Sequence, residues 1–340
     1  MPIGAGRRIL VPETLSDPTL PDGGAVAVLA GATMGTTWSV TLVSPRGSGL
    51  AEIRRGIEAR LDRVVAQMST WEPDSDLSRF NRAPAGSWHA LPEECFRVLA
   101  HALAIAGDTG GAYDPTVGAL VDLWGFGPAP APRARPPAEA IAATRAHTGW
   151  ARLTLDARGR RAHQPGGVSV DLSSIAKGFA VDEVATQLRR LGATSFLVEV
   201  GGELRGHGIK PDGTPWWVAL ETPAGPGPSP HVGDTIVAVH GLSVATSGDY
   251  RRSFEDGGRR YSHTIDPRTG CPVDHELASV TVLHPECMAA DALATALTVL
   301  GPEPGLAYAR RRGLVARFVV RARAGGLEEH MTPGFAAMLE

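Results

Sequence analysis

A layered α+β fold, with mixed and antiparallel sheets flanked by helices, is what this 340-residue sequence predicts. Strand-like and helix-like stretches follow one another without a β-α-β-α rhythm, which argues against a doubly wound parallel sheet. No internal repeat is visible, so a solenoid or propeller is set aside. The composition, 43% hydrophobic and 20% charged, is that of an ordinary globular chain, long enough for one large or two fused domains.

The elements can be justified in order. Residues 1–24 read as a loose arm. The first clear strand covers 38–43 (WSVTLV), preceded by GATMGTT. Over 49–68, Leu50, Ile53, Ile57, Leu61, Val64, Val65 and Met68 recur at three- and four-residue steps, which predicts an amphipathic helix. A second helix is expected over 92–107, with Pro92 at its start. The run GPAPAPRARPPA near 127–138 suits neither a helix interior nor a central strand, and is read as a surface insertion. A short β unit (151–170), a helix (173–191) and a strand (196–200) closed by Gly201 and Gly202 follow. Strands are expected at 216–221, 235–239, 261–265 and 277–283, interrupted by a second Pro-rich insertion at 223–230. A helix over 288–300 and an α/β tail complete the chain.

Several function classes are disfavoured at once. A formal net charge of −3 gives no electrostatic pull toward nucleic acid, so no nucleic-acid partner is expected. Cys95, Cys271 and Cys287 stand far apart, with neither metal-ligand nor disulfide spacing. No apolar run is long enough for a transmembrane segment. The first 24 residues lack both the apolar core of a signal peptide and a cysteine for lipid attachment. A cytoplasmic location is the expectation as written, with a periplasmic or membrane-associated one the alternative.

Three stretches carry residue types suited to chemistry. In MAADALATALTVLG, Asp291 and Thr295 are four apart and share a helical face. A carboxylate and a hydroxyl form a hard oxygen pair suited to Mg²⁺, although an acid in a first turn also simply favours the helix dipole. In VSVDLSSIAKGFAVDEVATQL a strand runs into a helix. Asp171 ends the strand, Ser173 or Ser174 can cap the helix, and Lys177 lies near the opening, where free N–H groups attract phosphate. Only two of the 33 basic residues, Lys177 and Lys210, are lysines. His263 ends a strand just before the turn Asp266-Pro267-Arg268-Thr269-Gly270, a good station for a general base or equally for a structural histidine. Ser247, Gly248 and Asp249 are candidates for a polar wall nearby. Tyr113, Trp124 and Trp71 are candidates for stacking on a flat heterocycle, or for core. No dinucleotide fingerprint, P-loop or nucleophile elbow is present.

Eight blocks then occur in order: TMGTTW (33–38), MSTWEPDSDLSRFN (68–81), GAYDPTVGALVDLWGFG (111–127), VDLSSIAKGFAVD (170–182), VEVGGELRGHG (198–208), VATSGDYRR (244–252), HTIDPRTGCPV (263–273) and ADALATAL (290–297). Together they resemble the signatures of the ApbE flavin transferases, and 25–340 is read as one such domain. The resemblance implies a T-fold-like α+β architecture with FAD in a cleft between two parts. It implies Mg²⁺-dependent transfer of the FMN half of FAD to a threonine hydroxyl of an acceptor protein, a redox-pump subunit or an electron-transfer protein, with release of AMP. It further implies that Asp291, Thr295 and the position of Ser174 hold the metal. Met34, Trp71, Ala112, Tyr113, Asp114, Asp171, Lys177 and Ile265 would meet the FAD, and His263 would serve the chemistry. Ser173 and Ser174 stand where relatives often carry two glycines, and Trp71 where many carry tyrosine. A pyrophosphatase splitting FAD into FMN and AMP, or a non-catalytic FAD-binding protein, would use much of the same cleft.

Overall fold

The computed structural model describes residues 8–12, 20–21, 24–45, 47, 49–129, 131–223 and 232–339. Its backbone is an eight-stranded sheet, antiparallel at every pairing. From edge to edge the strands are Leu327–Met331, Val315–Arg321, Leu277–His284, Leu242–Gly248, Glu203–His207, Phe196–Val200, Thr36–Val43 and Val26–Thr33. Alternation decides which side chains face which layer. Phe196, Val198 and Val200 turn into the main core, while Leu197 packs in a second cluster with Val43, Val244 and Leu283.

The long helices Leu50–Met68, Glu93–Asp108, Ala176–Arg190 and Cys287–Leu300 all contribute to the main core. The first is the amphipathic helix expected at 49–68. Ile53, Ile57, Leu61, Val64 and Met68 are all buried, each burial contributing about 1.5–3 kcal/mol. A three-stranded sheet, Arg8–Leu10, Thr235–Val239 and Trp216–Leu220, shares the second cluster. The expected arm over 1–24 is therefore corrected in part. Arg8–Leu10 is a strand paired in parallel with Thr235–Val237, because Leu10 is apolar and fully buried there. The rest of that arm, apart from 11–12, 20–21 and 24, lies outside the described residues, as does all of the 223–230 insertion except Pro223.

A smaller core closes the other side of the site. Leu120, Trp124, Phe126, Ile141, Phe254, Tyr261 and Ile265 pack together. They come from the helix Gly118–Leu123 and the loop just after it, the helix Ala138–Arg145, and the hairpins Ser253–Ser262 and Ile265–Pro272. Trp124, a candidate ligand wall from sequence, is instead core: it is 1% exposed and its Nε1–H donates to the Gly270 carbonyl at 2.9 Å.

The strand Val26–Thr33, unread in the sequence, hairpins onto Thr36–Val43. Its Ala- and Gly-rich half-exposed pattern hides it. So does its turn, which has positive φ at both Met34 (50°) and Gly35 (68°), a geometry usually announced by Asn-Gly or Asp-Gly.

Candidate functional site

Between the main body and the small aromatic core lies a cleft of about 860 Å³, a size that suits a cofactor-sized ligand. Every residue that the family resemblance assigned to the site lines it. Met34 enters from the hairpin turn, Trp71 from beyond the first long helix, and Ala112, Tyr113 and Asp114 from the loop after Glu93–Asp108. Asp171, Ser174 and Lys177 enter from the run into the helix Ala176–Arg190, where the expected strand ending at Asp171 is absent because only Ser169 makes a single bridge, to Val117. His263 and Ile265 enter from the segment joining the two hairpins and the start of the second, and Asp291 and Thr295 from the helix Cys287–Leu300. The imidazole and the aspartate–threonine pair thus face one cavity.

Local bonds fix these groups. Asn81 grips the backbone of Val170 through both ends of its amide, each at 2.8 Å, which locks the approach to Asp171. Asp171 Oδ1 then accepts from the Ser173 N–H at 2.7 Å, and the Ser174 hydroxyl donates to Tyr113 Oη at 3.1 Å. Neither serine caps the helix as expected. The helix begins at Ala176, capped by Ile175 without a side-chain bond, so both serines lie ahead of its N-cap, and the Ser174 hydroxyl is turned to Tyr113 instead.

An anion does sit at that helix opening, and it belongs to the protein. Asp291 Oδ2 accepts from the Gly178 N–H at 3.0 Å. Gly178 permits this, since a Cβ there would run into the Cys287 carbonyl and lie 2.8 Å from Asp291 Cβ. Asp291 is 3% exposed, and burial raises its proton affinity against the opposing pull of Lys177 and the Gly178 N–H. Thr295 Oγ1 lies 3.2 Å from Ser247 Oγ.

The strand expected over 261–265 is broken at His263, which follows the strand Arg259–Ser262 and precedes the short strand Ile265–Asp266. Its Nδ1 stands 3.1 Å from the Arg252 carbonyl. A carbonyl only accepts, so Nδ1 carries the proton and Nε2 keeps a lone pair. Phe126 meets the ring edge-on at 6.3 Å. Burial first, then the positive charges of Arg252 and Lys177, push the imidazole down to about 4, so it is neutral at neutral pH.

Other residues are committed to structure. Asp114 holds its loop, with Oδ1 accepting from Thr116 N–H and Oγ1 and Oδ2 from Trp150 N–H. Ser247 and Gly248 line the cleft but Asp249, expected beside them, does not. Arg321 holds its carboxylate through two bonds of 2.7 and 2.8 Å.

The sequence did not single out Glu203, Arg251 or Arg252, which also line the cleft. Only sheet pairing reveals Glu203. It stands opposite Val200, and cross-strand partners share a face, so its side chain turns inward under the helix Ala176–Arg190. There Lys177 Nζ lies 2.6 Å from Glu203 Oε1.

The donor chemistry fits a hard divalent cation. Asp291, Thr295 and Ser174 offer oxygen only, and the buried Asp291 charge is incompletely offset. Among the described residues no three His, Cys, Asp or Glu side chains converge on a metal position. One carboxylate with hydroxyls, completed by water and substrate phosphate, is the arrangement Mg²⁺ favours.

Known proteins share both sequence and fold. The ApbE family model matches residues 34–318. The FAD:protein FMN transferase of Haemophilus influenzae is 41% identical over 307 residues, covering 88% of each chain. That of Escherichia coli K12 is 37% identical over 317 residues, covering 92% of this chain and 89% of its own. The flavinyl transferase ApbE of Pseudomonas stutzeri in its apo form superposes with a TM-score of 0.84 at 44% identity, covering 92% of this chain and 96% of that one. The flavin transferase ApbE of Vibrio cholerae gives 0.85 at 38%, covering 93% and 100%. Shared across the matched sequence, the sheet and the cleft-bearing body, this likeness makes the chain a member of the ApbE family.

Proposed function

We propose that this protein is a FAD:protein FMN transferase, moving the FMN half of FAD onto a threonine hydroxyl of an acceptor protein and releasing AMP. The relatives named for this activity support the reading. The observation that carries the chemistry is the shared cleft, with a neutral imidazole and the pair of buried Asp291 and half-buried Thr295 facing one space.

In this reading the threonine oxygen attacks the FMN phosphorus of the diphosphate. A bond forms between them, the bond from that phosphorus to the bridging oxygen breaks, and AMP departs. His263 Nε2 takes the hydroxyl proton, since a neutral alcohol needs a base and this nitrogen has a free lone pair. Lys177 offers a compact positive charge to the diphosphate. Met34 and Trp71 flank the flavin, and Ala112, Tyr113, Asp114, Asp171 and Ile265 shape the rest of the FAD site. Both Asp114 carboxylate oxygens also hold its loop in shape. Asp291 and Thr295, with Ser174, are the residues that would hold Mg²⁺, which when bound supplies charge neutralisation at the diphosphate.

Intact mass spectrometry with AMP detection tests this in the presence of FAD, Mg²⁺ and an acceptor. Gain of one FMN on the acceptor with AMP release is the expected result. AMP without modified acceptor assigns the cleft to FAD hydrolysis instead. Neither product leaves only FAD binding.

A further inference from the structure

Two buried carboxylates compete for one lysine in this cleft. Glu203 is 3% exposed, and its Oε1 holds Lys177 Nζ at 2.6 Å. Its other oxygen, Oε2, is buried with no hydrogen-bond partner. Asp291 also acts on that ammonium through its charge, yet its Oδ2 bonds the Gly178 N–H, and the ion pair goes to Glu203. An orphaned carboxylate oxygen in a protein interior costs free energy, and a surface-seeking lysine alone would not justify it. The lysine stem also runs past Gly201, whose φ of +61° turns the chain just ahead of Glu203, and a Cβ there would lie 3.3 Å from Lys177 Cδ. The turn therefore both throws Glu203 inward and leaves a channel for the lysine.

We infer that Glu203 is a positioning residue: it holds the Lys177 ammonium away from Asp291, which keeps the Asp291 carboxylate available to a divalent cation and the ammonium available to the diphosphate. This rests on the proposed role of Asp291 as a cation ligand. Without the Glu203 charge, the flexible lysine has one buried anion left to pair with, and that anion is the one the cation requires. A Lys177–Asp291 pair would consume the negative charge at the metal position. Glu203 touches neither cation nor reacting atoms in this scheme; its effect passes through Lys177.

A double-mutant cycle on the full chain tests the inference, with Mn²⁺ alone as probe and electron paramagnetic resonance of free Mn²⁺ as readout. Glu203→Gln keeps the shape and removes the charge, and should weaken Mn²⁺ binding by about tenfold, the scale of one charge–charge interaction in such a cleft. Lys177→Gln should bind Mn²⁺ at least as tightly as the parent. In the Lys177→Gln background, Glu203→Gln should have most of its effect removed, because the competing ammonium is gone. Equal losses in both backgrounds, or none in either, overturn the positioning role. If Glu203→Gln does not fold, Glu203→Asp carries the same cycle: its shorter reach should loosen Lys177 and weaken Mn²⁺ binding in the parent background only. Asp291→Asn separates the two readings. If it binds Mn²⁺ like the parent, the cation site itself is wrong; if it alone loses binding, only the role of Glu203 fails.

Discussion

One hydrogen bond settles which nitrogen of His263 can work. The Arg252 carbonyl takes the Nδ1 proton, and the lone pair is left on Nε2. A base acts in its unprotonated form, and burial disfavours the protonated one. Lowering the pH through the usual imidazole value of 6.5 should therefore leave kcat/KM level, with the fall coming only toward about 4. The same group contributes to acid sensitivity of the fold, because the unfolded chain takes up a proton below 6.5 that the folded one resists. An acid limb centred on 6.5 in the pH–rate profile would contradict this environment. His263→Ala should keep FAD affinity, measured by fluorescence, and lose about 10²–10⁴-fold in kcat. Residues of this kind were legible because their types are chemically unusual where they stand: a histidine against a rigid turn, or one of only two lysines. Glu203 was not, since a glutamate in an alternating strand looks like any solvent-facing acid until its opposite number, Val200, is known.

Among the elements, those with a strong period were legible and those defined by partners were not. The helix Leu50–Met68 announces itself by its own apolar stripe. The strand Val26–Thr33 is an edge strand whose identity depends on pairing with Thr36–Val43. The helix Ala176–Arg190 was legible as a helix, but its opening was not, because a partner helix decides what binds there. Gly178 is the point of contact. Alanine would favour the isolated helix, but its methyl would meet the Cys287 carbonyl, which is backbone and part of the neighbouring helix. Gly178→Ala should thus lower stability by about 1–3 kcal/mol and weaken the Asp291 hydrogen bond. The urea midpoint checks the first effect, and an unchanged or raised midpoint would show that the helices separate freely.

For the molecule as a whole, the α+β class followed from the absence of alternation, while the strand order did not. Neighbours such as Leu242–Gly248 and Glu203–His207 are separated by the excursion through Trp216–Leu220 and Thr235–Val239, which no local pattern reveals. The expected arm likewise misses that Arg8 and Arg317 flank Glu329. The Arg317 side chain is fully buried and that of Glu329 is 3% exposed, so this cluster fastens the first strand to the strands near the C-terminus. Glu329→Gln leaves buried guanidinium charge uncompensated and should cost about 3–5 kcal/mol in chemical denaturation. None of the three residues lines the cleft, so turnover per folded molecule should persist. A loss below the error of the denaturation curve would mean that water already reaches this cluster.

The close contact at Gly178 between the helices Ala176–Arg190 and Cys287–Leu300 has a bearing on engineering. Replacing helical glycines by alanine is a standard route to sturdier enzymes. Here that recipe would wedge open the joint that carries the Asp291 carboxylate, so heat tolerance must be sought in the periphery and this contact left bare.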